Sequence, residues 1–282
     1  MKVLVTNDDG VESPGLHALA RALVGAGYEP LVVAPDRDMS GSGAAIGRVH
    51  LDEHIDAEQV ELPGLPGVPA YGIDGPPGLC VLAARLGGFG EPPEVVVSGV
   101  NPGCNTGRAI LHSGTVGAAL TAANFGGRGL AVSIDVVSRR IQEQAGAASP
   151  APARVRTEGP AHWDSAAEAA AMAVAWLVGA PKGTVLNINV PDRAAGDLLG
   201  ARAATLAPFG SVRSSVVESA ESGGRLQMEL RPTTVDLPPG CDTALVAAGF
   251  VAVSAITGVR LDAGVDLCEV MDQVVPGDRR SA

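Results

Sequence analysis

The stretch KVLVTNDDGVESPG, residues 2–15, holds a strand, a polar turn and a helix start in immediate succession. Val3 to Thr6 is a short apolar run with β-branched residues, the pattern of a strand buried on both faces of a parallel sheet. Ser13 then offers an N-cap hydroxyl, and Pro14 a first helical residue with its φ already set. Leu16, Leu19, Ala20 and Leu23 recur at helical spacing, and Gly25 or Gly27 ends the run. PLVVAP, residues 30–35, is a second buried strand. Strand, helix and strand with short connections imply a right-handed parallel crossover. The expected fold class is therefore α/β: a Rossmann-like, mostly parallel sheet in a three-layer sandwich, with a C-terminal β-hairpin and helix extension.

Further elements follow the same logic. Ser40 to about Gly75 is rich in Gly, Pro and polar residues and is expected to be loop with short strands, VHLDEHI and VELPGL giving weak strand signals. Parallel-sheet character returns at EVVVSG (94–99) and LAVSI (130–134), with the small-residue helix GTVGAALTAANFG between them. Arg139 to Pro160 is poor in large apolar residues and reads as a surface loop. WDSAAEAAAMAVAWLV is a helix capped by Asp164 or Ser165, and TVLNINV (184–190) is another strand. Past Pro191 the pattern changes to a hairpin around Gly223 and Gly224, then ALVAAGFVAVSAI and the tail VDLCEVMDQVV. The expected division is a core of residues 1–195 and an extension, 196–282, that serves as hairpin and oligomerisation arm.

Composition excludes several classes of function. With 46% hydrophobic and 18% charged residues, the chain is expected to be a soluble, folded protein. A formal net charge of −11 removes the broad positive footprint that a nucleic-acid backbone requires, so polymeric nucleic acid is not an expected partner. No apolar stretch reaches membrane-spanning length and no basic leader precedes the first strand, so a cytoplasmic protein without a membrane partner is expected. Cys80, Cys104, Cys241 and Cys268 form no CxxC pair, which fits neither a zinc cluster nor a disulfide framework.

In an open parallel sheet, ligands bind outside the carboxyl ends of the strands, where loops present side chains and helix N-termini point inward. Asp8 and Asp9 follow the first strand, Asp36, Asp38, Ser40 and Ser42 the second, and Asn101 and Asn105 follow EVVVSG. These oxygen donors suit a hard cation such as Mg²⁺, Mn²⁺ or Ca²⁺ rather than zinc. A cation would also answer the repulsion between Asp8 and Asp9, although NDDG by itself is more often an Asx-capped turn than a metal site. Ser113, Gly114 and Thr115 stand at a helix start, where small residues open backbone N–H groups to an anion. Helix capping is the alternative use of such residues. Among the histidines, His17, His50, His54 and His162 read as structural or exposed, whereas His112 directly precedes this cradle. A metal beside an anion cradle points to phosphoryl chemistry.

TNDDG, APDRDMSG (34–41), SGVNPGCNTG (98–107), HSGTVGAA (112–119) and LNINVP (186–191), in this order, resemble the motifs of the SurE family of stationary-phase survival 5′/3′-nucleotidases. The resemblance weakens across GCDTALVAAGFVAVSAI (240–256). It implies a divalent-metal-dependent phosphatase acting on nucleoside monophosphates, assembled as a homodimer or homotetramer through its C-terminal extension. It further implies one Mg²⁺ or Mn²⁺ per subunit held by Asp8, Asp9, Ser40 and Asn101, with Asn105, Ser113, Gly114 and Thr115 around the phosphate and Asp8, Asp9 and Asn105 as catalytic residues. The chain departs from the family pattern at Leu79, His112, Thr121 and the SAI of 254–256. These changes spare the implied metal ligands and bear on substrate preference. A phosphatase for a non-nucleotide ester and a non-catalytic metal-binding oligomer are the alternatives. A nicotinamide-dependent Rossmann enzyme is disfavoured because NDDGVESPG lacks the GxGxxG that brings pyrophosphate to the backbone.

Overall fold

The computed structural model describes residues 1–47, 54–136, 161–210, 212–218, 227–232, 236–260, 262, 264 and 266. The expected loop at 139–160, the tip of the hairpin at Gly223 and Gly224, His50 and the tail with Cys268 lie outside the described residues. The chain enters through β1 (Lys2–Thr6), α1 (Pro14–Gly25) and β2 (Glu29–Pro35), then β3 (Ala57–Gln59), β4 (Ala70–Ile73), α2 (Pro77–Arg85) and β5 (Val95–Asn101). A 3₁₀ turn (Gly107–His112), α3 (Gly114–Asn124), β6 (Arg128–Ile134), α4 (Trp163–Gly179) and β7 (Val185–Val190) follow. The extension supplies β8 (Ala201–Ala203), the hairpin strands β9 (Val212–Glu218) and β10 (Gln227–Pro232), α5 (Asp242–Ala247) and β11 (Val251–Ile256).

Nine strands form one sheet in the order β3-β4-β2-β1-β5-β6-β7-β11-β8. The six strands from β4 to β7 are mutually parallel. β3 is antiparallel to β4, and β11 is antiparallel to β7 and parallel to β8. β9 and β10 pair antiparallel as a separate two-stranded sheet, which is the expected hairpin.

Alternation along β1 divides the apolar residues between two layers. Val3 and Val5 pack with Leu16, Leu19 and Leu23 of α1 and Val174 and Leu177 of α4. Leu4 faces the other way, against Leu79 and Val81 of α2 and Ala118 and Ala122 of α3. Each fully buried Leu or Val contributes roughly 1.5–3 kcal/mol relative to exposure, so the sandwich draws on both faces of the strands. The start of α1 forms as its sequence dictates: Ser13 Oγ accepts from the Leu16 amide at 3.3 Å, with Pro14 as first helical residue.

Two local expectations are corrected, at VELPGL and at the cap of α4, and helix α2 was not anticipated. The described strands between residues 54 and 75 are β3 and β4, most of VHLDEHI (49–55) lies outside the described residues, and residues 60–65 of VELPGL form a turn at Pro63 and Gly64 that buries Leu62 and Leu65. Pro cannot donate to a ladder, and neighbouring Gly favours a turn. Helix α2 has little periodic signal because nine residues make about two and a half turns. Helix α4 is not capped by Asp164 or Ser165: His162 occupies the N-cap, and its amide donates to Asp192 Oδ1 at 2.9 Å. A carboxylate from beyond β7 thus replaces the local cap. Among the described residues, no helix is long and apolar enough to cross a membrane.

Helix α1 lies so close to β5 that a Cβ on Gly15 would come within 2.1 Å of the Val100 carbonyl oxygen and 3.1 Å of the Trp163 ring. Overpacking at such a contact costs about 1–3 kcal/mol. Gly15→Ala is expected to lower the unfolding free energy by that amount, measured by the urea midpoint at unchanged slope.

Candidate active site

The sheet order sets β2, β1 and β5 side by side, so their carboxyl ends bring residues 7–10, 36–42 and 101–107 to one rim. Asn7, fully buried, shapes the first loop: its Nδ2 donates to the Gly10 carbonyl at 3.0 Å and to Ser13 Oγ at 2.6 Å, while its Oδ1 accepts from the Gly10 amide at 3.2 Å. Asp8 and Asp9 occupy the turn that Asn7 closes. The Asp8 carbonyl accepts from the Met39 amide at 2.7 Å, and its carboxylate accepts from Thr115 Oγ1 at 2.5 Å. The start of α3 presses on the same place. A Cβ on Gly114 would lie 2.8 Å from Asp8 Oδ2 and 2.6 Å from Ser42 Oγ, and one on Gly117 would lie 2.1 Å from the Gly43 carbonyl oxygen. Only glycine at both positions, one helical turn apart, lets the 42–44 loop and Asp8 lie directly on the helix.

Charge accumulates in this pocket. Burial pushes the Asp8 carboxyl above its ordinary range, offset by hydrogen bonds from Thr115. Asp9 is pushed up to about 8, first by burial and then by the neighbouring charges of Asp8 and Asp38. Asp9 Oδ2 is buried without a hydrogen-bond partner. Asp38 Oδ1 accepts from both the amide and the hydroxyl of Ser40, at 2.8 and 2.6 Å. Asp36 instead joins an exposed cluster with Arg37 at 2.9 Å, which also pairs with Asp74 at 2.5 Å. Among the described residues, no three His, Cys, Asp or Glu side chains form a metal-binding group. A cation here would draw on two carboxylates together with hydroxyl and amide oxygens, a hard donor set suited to Mg²⁺ or Mn²⁺. The orphaned Asp9 oxygen fits that use.

Asn101 Nδ2 donates to the Gly103 carbonyl, which leaves its Oδ1 as the half of the amide able to ligate. Asn105 is gripped from both ends: its Nδ2 donates to Ser133 Oγ at 2.9 Å, and its carbonyl accepts from Nδ2 of Asn187 at 2.8 Å and of Asn189 at 2.9 Å. Gly107, at φ +63°, lets the backbone of Phe209 approach. Its amide donates to Asp242 Oδ2 at 2.8 Å, and Asp242 Oδ1 accepts from the amides of Ala207 at 2.9 Å and Thr243 at 2.8 Å. Asp242 is fully buried. It thus ties the β5 loop to the extension.

Asp8, Thr115 and Gly114 lie against one another, and Ser40 hydrogen-bonds Asp38, whose charge acts on Asp8 and Asp9. Asn101 and Asn105 make their side-chain hydrogen bonds on the β5 and β6 side of the rim and none to Asp8. Ser113 Oγ caps α3 by accepting from the Val116 amide at 3.1 Å. His112 is exposed, and His17 is a buried residue of α1 whose Nε2 lies 2.9 Å from the Val11 carbonyl. Burial and the charges of Asp135 and Asp242 push the Cys104 thiol well up, which disfavours the thiolate form a nucleophile needs. Sequence reasoning missed Asn7, Ser133, Asn187, Asn189 and Asp242 as supports of the site. The available signal was a polar residue inside an apolar strand, as in LNINVP, whose buried amides need partners.

A profile of the family described as Survival protein SurE matches residues 3–210. The chain belongs to the SurE family. A SurE relative from Xanthomonas euvesicatoria pv. vesicatoria (strain 85-10), named 5′-nucleotidase SurE, is 39% identical over 202 residues, covering 71% of this chain and 67% of the relative. Another of that name, from Xanthomonas campestris pv. campestris (strain B100), is 33% identical over 260 residues, covering 91% and 89%. The crystal structure of the SurE protein from Aquifex aeolicus superposes with a TM-score of 0.72 over 97% of this chain and 99% of that one, at 24% identity. That likeness establishes the shared α/β, Rossmann-like fold.

The raised Asp9 carboxyl has a thermodynamic consequence. Between its ordinary value of 3.8 and about 8, the folded metal-free chain keeps a proton that the unfolded chain releases, so this group's contribution to stability falls as pH rises through that window. Scanning calorimetry in EDTA is expected to show a melting temperature that declines from about pH 5 to about pH 8, and Asp9→Asn should flatten the decline.

Proposed function

We propose that the chain is a divalent-metal-dependent phosphomonoesterase that hydrolyses nucleoside 5′- and 3′-monophosphates to nucleoside and phosphate. The observation that carries this is the buried, unpartnered Asp9 oxygen beside Asp8, under the N-terminus of α3. The name 5′-nucleotidase borne by relatives up to 39% identical supports the substrate class. Asp8, Asp9, Ser40 and Asn101 would hold one Mg²⁺ or Mn²⁺ per subunit. When bound, such a cation supplies Lewis acidity toward a phosphoryl oxygen and acidifies water.

The chain's own residues prepare the rest. Thr115 fixes the Asp8 carboxylate by its 2.5 Å hydrogen bond. Asp38 takes the Ser40 hydroxyl hydrogen at 2.6 Å, which leaves the Ser40 lone pairs as the part of that hydroxyl able to ligate. Asn105 Nδ2 has a second hydrogen besides the one given to Ser133, and this is a donor for an equatorial phosphoryl oxygen. Ser113, Gly114 and Thr115 place that oxygen in the positive field at the start of α3.

Phosphate release from a panel of nucleoside monophosphates and simple phosphate esters, with Mn²⁺, Mg²⁺ or EDTA, tests the proposal. Turnover is expected with metal and none with EDTA, Asp8→Asn should abolish it, and Asn105→Ala should lower kcat by roughly 10²-fold. Equal turnover by the native chain and Asp8→Asn in every condition would refute it. A preference for esters without a base would favour the non-nucleotide phosphatase instead.

We further propose that the chain works as a homodimer or homotetramer. An apolar cavity of about 600 Å³ between α4 and strands β7, β8 and β11 supports this, since Met172 and Trp176 beside it are 71% and 61% exposed. Trp176→Glu is expected to lower the assembly mass measured by light scattering.

A further inference from the structure

We propose that Asn187 and Asn189 are positioning residues for the reaction, acting on substrate only through Asn105. This rests on the phosphatase reading and extends it to residues three strands away from the paired aspartates. β7 is otherwise apolar: Val185, Leu186, Ile188 and Val190 pack into the layers of the sandwich. Two amides placed two residues apart share one face of this strand. Both are completely buried, where an amide without a partner is costly and an aliphatic side chain would pack without that cost.

Both donate to a single acceptor, the Asn105 carbonyl, at 2.8 and 2.9 Å. Two donors saturate the two lone pairs of that oxygen and fix the plane of the peptide that follows it. Ser133, opposite Asn189 in the β6–β7 register, takes one hydrogen of the Asn105 side-chain amide at 2.9 Å. The main chain and side chain of Asn105 are therefore both held by buried groups of β6 and β7. Its remaining Nδ2 hydrogen is presented in one direction, as a donor to a developing phosphoryl charge requires. Neither Asn187 nor Asn189 makes another side-chain hydrogen bond among the described residues.

The test is a coupling cycle. Asn187→Ala with Asn189→Ala is made in the native chain and in an Asn105→Ala background. Phosphate release from a nucleoside monophosphate, Mn²⁺ affinity by calorimetry and melting temperature are then measured. In the native background kcat is expected to fall about 10–100-fold, with KM and the Mn²⁺ Kd within about 3-fold. In the Asn105→Ala background the same pair should cost less than about 3-fold more, because residues acting through one group are not additive. An equal fall in both backgrounds, or none in the native one, overturns the inference. If the paired variant does not fold, Asn187→Ser and Asn189→Ser, each leaving one amide on the carbonyl, enter the same cycle under the same criterion. A native chain that hydrolyses no ester and binds no Mn²⁺ overturns the phosphatase reading and this inference together, whereas missing coupling in an active enzyme overturns the inference alone.

Discussion

The close approach of α3 to the end of β1 is the constraint on which the site depends. A helix start ordinarily stands off from a neighbouring loop by the thickness of its side chains. Here Gly114 and Gly117 remove that thickness, and Asp8, Ser42 and Gly43 lie against the helix backbone. The helix contributes the Thr115 hydroxyl to the Asp8 carboxylate and its own positive end to the same pocket. Any larger residue at 114 or 117 would have to displace backbone, which packed interiors resist.

That approach has an electrostatic cost. Asp8 and Asp9 are adjacent, Asp8 is buried, and Asp38 stands close enough to raise both carboxyls. Without a counter-charge the cluster works against the fold at neutral pH. A cation, on the metal-dependent reading proposed above, would turn the same cluster into a source of affinity, since groups that are strained when empty gain most from a ligand. The Asp9 oxygen left without a partner and the hydroxyl of Ser40 held by Asp38 belong to this arrangement.

The other half of the rim is held from the far side of the sheet. Asn105 and Gly107 lie on one loop, but their partners are Ser133 on β6, Asn187 and Asn189 on β7, and Asp242 at the start of α5. Asp242 is a buried carboxylate satisfied by three backbone amides, from Gly107, Ala207 and Thr243. The extension therefore does more than cover an edge: β11 and β8 complete the nine-stranded sheet, and α5 anchors the loop that carries Asn105.

Much of this was legible in the sequence because it is local. Ser13 and Pro14 start α1 and the apolar runs become parallel strands, since caps and side-chain alternation act within a few residues. The ordered motifs placed the candidate residues on strand ends that the sheet order then set on one rim. The cap of α4 and the short strands β3 and β4 were not legible, because a distant carboxylate or a neighbouring strand decides them. The same holds for the supports of the site. Asp8 meets Thr115 across 107 residues, Asn105 meets Ser133 across 28 and Asn189 across 84, and Gly107 meets Asp242 across 135. By itself the sequence determined the strand and helix order, the family pattern and which oxygens stand at the strand ends. Only the tertiary structure decided which of them hold one another, because those hydrogen bonds exist only once the sheet has ordered its strands and the glycines of α3 have let the loops close.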